Sequence, residues 1–346
     1  MKNLKYAFFW LLFILSCKFD KLPDIRKIKA DVHFYRFDDD LFALDSNHIK
    51  EEVNSLILKY PTLSRIYFQD IMQFTKNIDS MDVNFYTNVK LILSDPLLIS
   101  IHHRVDSMYG DMSDLKLSFD KTYAYAKYYF PKMSPVNVYT FISAFNVGNI
   151  IFSESDSLDG LGISLDFFQG SDFNYKQINP EYELFANYLT RSFNRDHLLK
   201  KTWMPWLEDV VPANNLNSLL DQMIYEGKKL YILSKIIPDI QDTILHEFTP
   251  DQMKWCDENK LNIWSFLKDK NLVNSTKRNE IARYINPSPT SSGMPKESPG
   301  RAAVFIGYDI VRSYLEKFPN KGIKDLVKEE SAQKILDDSR YKPLNK

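Results

Sequence analysis

The segment 216–233 constrains this chain most, because its apolar side also carries a glycine and a carboxylate. Apolar side chains recur there at the spacing of one buried helix face, namely Leu216, Leu219, Leu220, Met223 and Leu230. Gly227 lies on the same face, where glycine costs a helix about 1 kcal/mol relative to alanine. We therefore expect a helix, capped by Asn214 or Asn215, that a second backbone approaches closely at Gly227.

The carboxylate of that apolar face belongs to Glu226. Burying a carboxylate is unfavourable unless it is ion-paired, hydrogen-bonded or bound to a metal. Two interpretations remain open. Glu226 is either a glutamate at the rim of the core that pairs with Lys229 or a distant arginine, or it is the carboxylate of a working or vestigial site.

A second helix is predicted at 194–209, and it contains one histidine of a familiar zinc pattern. In H-E-x-x-H, two histidines on one helix face bind zinc and the glutamate acts as general base. Here His197 is followed by Leu198 at the position of the base and by Lys201 at the position of the second histidine. If this is the equivalent helix, the base and one ligand are both missing.

The N-terminus has the pattern of a bacterial lipoprotein. Lys2 and Lys5 precede an apolar run at 6–15 that is too short to span a bilayer, and the run ends in Ile-Leu-Ser-Cys at Cys17. We predict a signal peptide at 1–16, a lipidated Cys17, and a tether that continues to residue 29. An ordinary signal peptide or an uncleaved anchor is the alternative. Cys256, the other cysteine, is expected to be a packed small residue.

The rest of the chain, 30–346, is predicted to form a single α+β domain that is mainly α-helical, with one small and mostly antiparallel sheet. Alternating or β-branched runs predict the strands at 30–37, 136–143, 149–153 and 161–165. Apolar periodicity predicts the main helices at 47–60, 63–78, 83–93, 115–130, 181–193, 196–210, 214–235, 251–259, 261–268 and 300–318. Proline and serine predict a surface loop at 286–299.

Charge and composition exclude several classes of function. The formal net charge is −1 and no run of Lys or Arg is present, so we expect no nucleic-acid partner. Asp38, Asp39 and Asp40 invite a metal interpretation, but a loop followed by a helix start is preferred. His102 and His103 are adjacent and do not share a helix face, so a chelate from both is not expected. No cofactor is predicted.

Taken in order, several stretches resemble a known family. They are Cys17, VHFYRFD from Val32, LGISLDFFQG from Leu161, MIYEGKKLYIL from Met223, and SPGRAAVFIGYDIVRSYLE from Ser298. This order resembles the gliding-motility lipoprotein GldB family of Bacteroidetes over about residues 28–343. The family in turn resembles predicted zinc-dependent peptidases with an H-E-x-x-H helix followed by an E-G helix.

The resemblance implies a zincin-like, metallopeptidase-type architecture with a degenerate motif. His197 and Glu226 then form a candidate vestigial site, without catalytic residues or metal ligands. It also implies a lipoprotein in the inner or outer membrane that faces the periplasm. Such a protein supports the gliding and type IX secretion machinery through protein contacts and is not an enzyme.

Two other functions remain open at the level of the sequence. A working zinc metallopeptidase needs His197, Glu226 and a distant residue such as His246 or Asp209 to converge on one ion. A lipoprotein module that binds a small molecule or polysaccharide needs an exposed row of aromatic rings. Trp203, Trp206 and Tyr308 line the predicted cleft or, alternatively, fill the core.

Overall fold

A computed structural model describes residues 22–344 of the chain. The predicted signal peptide and the lipidation site Cys17 lie outside these residues. The described part contains four strands around which the helices pack, and it confirms an α+β fold that is mainly helical. The strands are β1 (Phe34–Arg36), β2 (Val136–Phe141), β3 (Ile150–Ser155) and β4 (Leu158–Ser164).

The four strands form one mixed sheet in the order β1-β2-β4-β3. β1 and β4 both run parallel to β2, and only β3 runs antiparallel, to β4. The prediction of a mostly antiparallel sheet is therefore wrong. The chain passes through several helices between β1 and β2, which lets the two strands pair in parallel. In the sheet, β4 lies between β2 and β3. The alternation of apolar and polar side chains along a strand does not predict this order of strands.

The helices follow in chain order. They are α1 (Phe37–Phe42), α2 (Ile49–Lys59), α3 (Pro61–Arg65), α4 (Val83–Ser94), α5 (Pro96–Tyr109), α6 (Ser113–Tyr129), α7 (Asn187–Thr190), α8 (Arg195–Val210), α9 (Leu219–Ile236), α10 (Asp242–His246), α11 (Pro250–Glu258), α12 (Lys260–Asp269), α13 (Arg278–Ile285), α14 (Ala302–Lys317), α15 (Ile323–Lys328) and α16 (Ala332–Ser339).

Helices cover both faces of the sheet. Side chains of α1–α4 pack with Tyr139 and Phe141 of β2 on one face. Side chains of α5, α6, α8 and the second half of α9 pack with Val136 and Val138 on the other face. Every residue of β2 is accordingly buried, as expected for a strand covered on both sides. The first half of α9 enters a third apolar cluster with α11–α14 and α16.

The helix that opened the sequence argument is α9, and its close backbone contact is confirmed. A Cβ atom at Gly227 would lie 2.5 Å from the carbonyl oxygen of Gly307 on α14. A Cβ atom at Gly307 would lie 2.0 Å from the carbonyl oxygen of Met223. Both distances are far below van der Waals contact, so α9 and α14 approach this closely only because both positions are glycine.

Some helix boundaries differ from the sequence prediction. α9 begins after Ser218, whose side chain forms a capping box with Asp221, and not after Asn214 or Asn215. The predicted helix at 181–193 is broken, because Ala186 adopts an extended backbone and leaves a short 3₁₀ turn followed by α7. The helix predicted at 63–78 is also not continuous. This segment consists of the end of α3, a π-helical turn and a loop.

Thr249 caps the start of α11, and Pro250 occupies its first turn, where a proline is tolerated. Two further predictions are confirmed, the packing of Cys256 and the loop at 286–299. Cys256 is completely buried, and burial raises the pKa of its thiol. The loop 286–299 contains no helix or strand. Two of its side chains, Ser291 and Ser298, are buried against the rest of the protein. Within residues 22–344, no helix combines the length and apolar character that crossing a bilayer requires.

Candidate functional site

A group of charged side chains lies where α8, α9, the corner after α10 and the start of α14 meet. We call this group the charge cluster. It consists of Arg191, Lys200, Lys201, Glu226, Lys229, Glu247 and Arg301, with His197 beside it. Of the two residues predicted as a vestigial site, Glu226 belongs to the cluster and His197 lies against it.

Glu247 is the centre of one half of the cluster. It follows α10 directly and has a left-handed backbone with φ 56° and ψ 39°, a rare conformation for a residue other than glycine. Its Oε1 accepts a hydrogen bond from Lys200 Nζ at 2.7 Å, and Lys201 Nζ lies 3.3 Å from its Oε2. One carboxylate therefore serves two ammonium groups.

In this half of the cluster, burial and the neighbouring charges shift the pKa values in opposite directions. Burial opposes ionisation of Glu247, but Lys200, Lys201 and Arg301 outweigh it and hold the pKa of Glu247 well below its ordinary value. Burial lowers the pKa of Lys200 to about 8, with Glu247 acting in the opposite direction. The Lys200 side chain is only 2% exposed, so its ammonium group depends on Glu247 for a charged partner.

Arg191 adds a further positive charge to this half. Its guanidinium donates hydrogen bonds to the main-chain oxygen of Glu247 at 2.6 Å and to the side-chain oxygen of Gln252 at 2.8 Å. Both acceptors are uncharged. Across residues 22–344, the buried Nε atoms of Arg191 and Arg301 have no hydrogen-bond partner. Because the cluster contains five Lys or Arg side chains and only the two carboxylates of Glu226 and Glu247, it carries more positive than negative charge.

Glu226 forms the other half of the cluster. Its carboxylate binds Lys229 Nζ at 2.7 Å and Arg301 Nη2 at 3.1 Å. Arg301 immediately precedes α14 and, like Glu247, has a left-handed backbone. Lys229 also lies 3.7 Å from Glu208 on α8. Glu226 therefore pairs with both of the partners that the first interpretation gave as alternatives, Lys229 and a distant arginine.

His197 occupies the first turn of α8. Its Nδ1 lies 2.9 Å from Oδ1 of Asn194, the residue that caps the helix. Burial lowers the pKa of His197 to about 4, so the imidazole is neutral near pH 7. Leu198, at the position of the general base, is fully buried. No hydrogen bond or ion pair joins His197 to Glu226 in the part of the chain described.

These residues do not fit a catalytic zinc ion. Such an ion needs three protein ligands and a base that activates water. Here Lys201 stands at the second ligand position and binds Glu247, while Lys229 and Arg301 already neutralise Glu226. A divalent cation would be repelled by these positive charges.

One group with metal-ligand geometry lies elsewhere in residues 22–344. Ligand atoms of Asp38, Asp39 and His102 lie within 4.8 Å of one another. Arg36 Nη2 already binds the two carboxylates at 2.8 and 2.6 Å. All three aspartates of this run lie in the first turn of α1, so the predicted helix start is present, but the predicted loop is not part of this run.

The aromatic residues of the predicted cleft belong to the core. Trp203 is fully buried and Trp206 is 4% exposed, and the two rings pack edge to face. Tyr308 packs against the same core cluster. The interpretation of these rings as core residues is therefore the correct one.

Sequence patterns did not indicate that Glu247, Lys200, Arg191 and Arg301 belong to the site. At the end of α10, only His246 was named, as a possible zinc ligand, and Arg301 appeared only within a family motif. The available signal was the placement of a carboxylate between α10 and the Thr-Pro start of α11.

Residues 18–343 match the family described as gliding motility protein GldB. The chain belongs to the GldB family. This membership confirms the resemblance to the GldB family and indicates a gliding-motility lipoprotein anchored in the cell envelope. No curated protein and no solved structure gives a match to this GldB-family chain.

Proposed function

We propose that this GldB-family protein acts as a non-catalytic, peptidase-like scaffold. It is anchored in the envelope through Cys17, faces the periplasm, and supports the gliding and type IX secretion machinery by binding other proteins of that machinery. The observation that carries the proposal is the ion pairing of Lys200 and Lys201 with Glu247. In this arrangement the ammonium group of Lys201 stands where a peptidase of this pattern needs a metal ligand, with that of Lys200 next to it in the sequence.

Two further features support a scaffold. Leu198 offers no proton-transfer group at the position of the base. The Glu226 carboxylate is already neutralised by Lys229 and Arg301. The resemblance to zincin-like peptidases is part of this proposal and accounts for the single His197 on α8.

The first test is the metal content of residues 18–346, purified without a tag and analysed with and without a chelator. We expect no stoichiometric zinc. Stoichiometric zinc that the chelator removes, with peptide hydrolysis that Glu226→Gln abolishes, would refute the proposal in favour of a working metallopeptidase.

The second test is complementation in the organism that carries the gene. We expect deletion to reduce spreading on a surface or secretion of type IX cargo, and both the wild type and His197→Gln to restore it. A catalytic His197 requires the opposite result, in which His197→Gln accumulates to the wild-type level and restores nothing.

A further inference from the structure

A cavity of about 400 Å³ opens beside the charge cluster, between α8 and the segment that leads into β3. Buried rings of Phe167, Phe168 and Phe193 form its apolar floor. Leu184, which is 40% exposed, also lines the cavity, and Lys201 is a charged lining residue. This combination of an apolar floor and a few polar groups is typical of a ligand site.

The wall of the cavity formed by Gly148 and Asn149 is held in place. Asn149 donates a hydrogen bond to Thr202 Oγ1 of α8 at 3.0 Å and accepts one from the Ser164 backbone at 3.1 Å. The preceding loop is bound to the buried Asp166, which accepts a hydrogen bond from the Phe145 backbone at 2.6 Å. The cavity is therefore pre-formed and does not depend on a mobile loop.

Main-chain groups for a bound peptide are available on two sides of this cavity. β3 starts directly after Asn149 and is an edge strand, because among the described strands only β4 pairs with it. An unpaired strand edge accepts an extended peptide as an additional strand. On the other side, Pro205 lies inside α8 and has no N–H, so the Lys201 carbonyl lacks its helical donor.

The charge on this cavity favours a carboxylate. Lys200 and Lys201 share the single carboxylate of Glu247, and Arg191 binds only uncharged oxygens. The acidic lining residue, Glu208, lies 3.7 Å from Lys229. Lys201, 24% exposed at its side chain, is therefore a cation at the cavity whose only counter-charge is a carboxylate that it shares with Lys200.

We propose that this cavity and the free edge of β3 dock an extended peptide segment of a partner protein, with a carboxylate of that segment bound by Lys201. The apolar floor takes one or two side chains of the segment, and β3 supplies main-chain hydrogen bonds. This inference rests on the proposed function, because it assigns the surface and the chemistry of one protein contact of the scaffold.

The test uses the full-length lipidated protein in detergent and a phage library of random twelve-residue peptides with free C-termini. Gly148→Trp is the blocking variant, because a Cβ atom at Gly148 meets no atom within 4 Å and the indole extends into open space. Gly322→Trp is the matched control, because Gly322 is equally open and lies next to α15. Lys201→Glu and Lys201→Arg test the charge.

We expect the selected peptides to lose binding at least about tenfold to Gly148→Trp and Lys201→Glu, and to keep it with Gly322→Trp and Lys201→Arg. N-methylation of the leading peptide should weaken binding at alternate residues, as strand pairing requires. Amidation of the C-terminus distinguishes a terminal carboxylate from an acidic side chain, which an Asp→Asn or Glu→Gln exchange then identifies.

The proposal is overturned if no peptide is selected, if Gly148→Trp binds as well as the control, or if neither carboxylate exchange weakens binding. Because Gly148 is not a member of the charge cluster, misfolding of Lys201→Glu would leave the test with Gly148→Trp intact. Peptides that bind intact but ignore the cavity variants would refute this inference alone. Peptides that are hydrolysed in a zinc-dependent reaction would refute the scaffold function.

Discussion

Glu247 is the residue on which the buried charge of Lys200 depends. Replacing it with glutamine keeps its shape but leaves the ammonium group of Lys200, which is 2% exposed, without a counter-charge. We expect Glu247→Gln to lower the free energy of unfolding by about 3–5 kcal/mol, as for other broken buried pairs. Urea denaturation of the purified protein measures the change.

The double variant Glu247→Gln with Lys200→Met is the control for this prediction. Since it removes both members of the pair, it should recover a large part of the lost stability. Equal stability of the Glu247→Gln single variant and the wild type would show that the pair contributes nothing.

His197 should make the stability of the protein depend on pH below neutrality. Burial lowers its folded-state pKa to about 4, while the unfolded chain takes up the proton near pH 6.5. Between these values the unfolded state binds more protons, so stability falls as the pH falls from 6.5 to 4. In His197→Gln, the decrease in the free energy of unfolding between pH 6.5 and pH 4 should be smaller than in the wild type by up to about 3 kcal/mol.

The measurement is urea denaturation at several pH values between 4 and 7. His48→Gln is the matched control, because a hydrogen bond to Asp45 raises the pKa of that exposed histidine and the sign of its contribution is opposite. An unchanged pH dependence in His197→Gln would contradict the burial of a neutral imidazole.

At the scale of elements, the crossing of α9 and α14 joins the two larger apolar clusters. α9 contributes Leu220 and Met223 to one and Leu230 and Leu233 to the other. α14 packs along it at the glycine contact. The same crossing brings Glu226 of α9 next to Arg301, so the geometry of the charge cluster depends on it.

Gly307→Ala should separate the two helices. Its methyl group would lie 2.0 Å from the carbonyl oxygen of Met223, which is backbone and has no room to rotate away. We expect a loss of stability of about 1–3 kcal/mol or more, measured by thermal and urea unfolding. Gly322→Ala, which meets no atom within 4 Å, should stay close to the wild type.

At the scale of the whole molecule, we expect membrane attachment to depend on Cys17. Residues 22–344 contain no helix able to cross a bilayer, and the predicted anchor is the acylated Cys17. Cys17→Ala should abolish acylation and release the protein from the membrane fraction, because several acyl chains are needed for stable anchoring. Retention of the variant in the membrane after a carbonate wash would contradict this prediction.

Local sequence patterns were sufficient for several of these features. The apolar spacing predicted α8, α9, α11 and α14 to within a few residues. Such a prediction succeeds because the backbone hydrogen bonds of a helix join residues that are only four apart in the sequence. The pairing of Glu226 with Lys229 follows from their three-residue spacing on one helix face. Gly227 indicated a close contact with a second backbone, although not that α14 supplies this backbone.

The direction of the strands and the composition of the charge cluster became known only from the folded chain. Alternating side chains describe the faces of a strand and are the same for parallel and antiparallel neighbours. Glu247 and Lys200 are 47 residues apart, and Arg301 and Glu226 are 75 residues apart. Such pairs form because packing of distant helices brings them together, and no short-range spacing records which carboxylate will meet which cation.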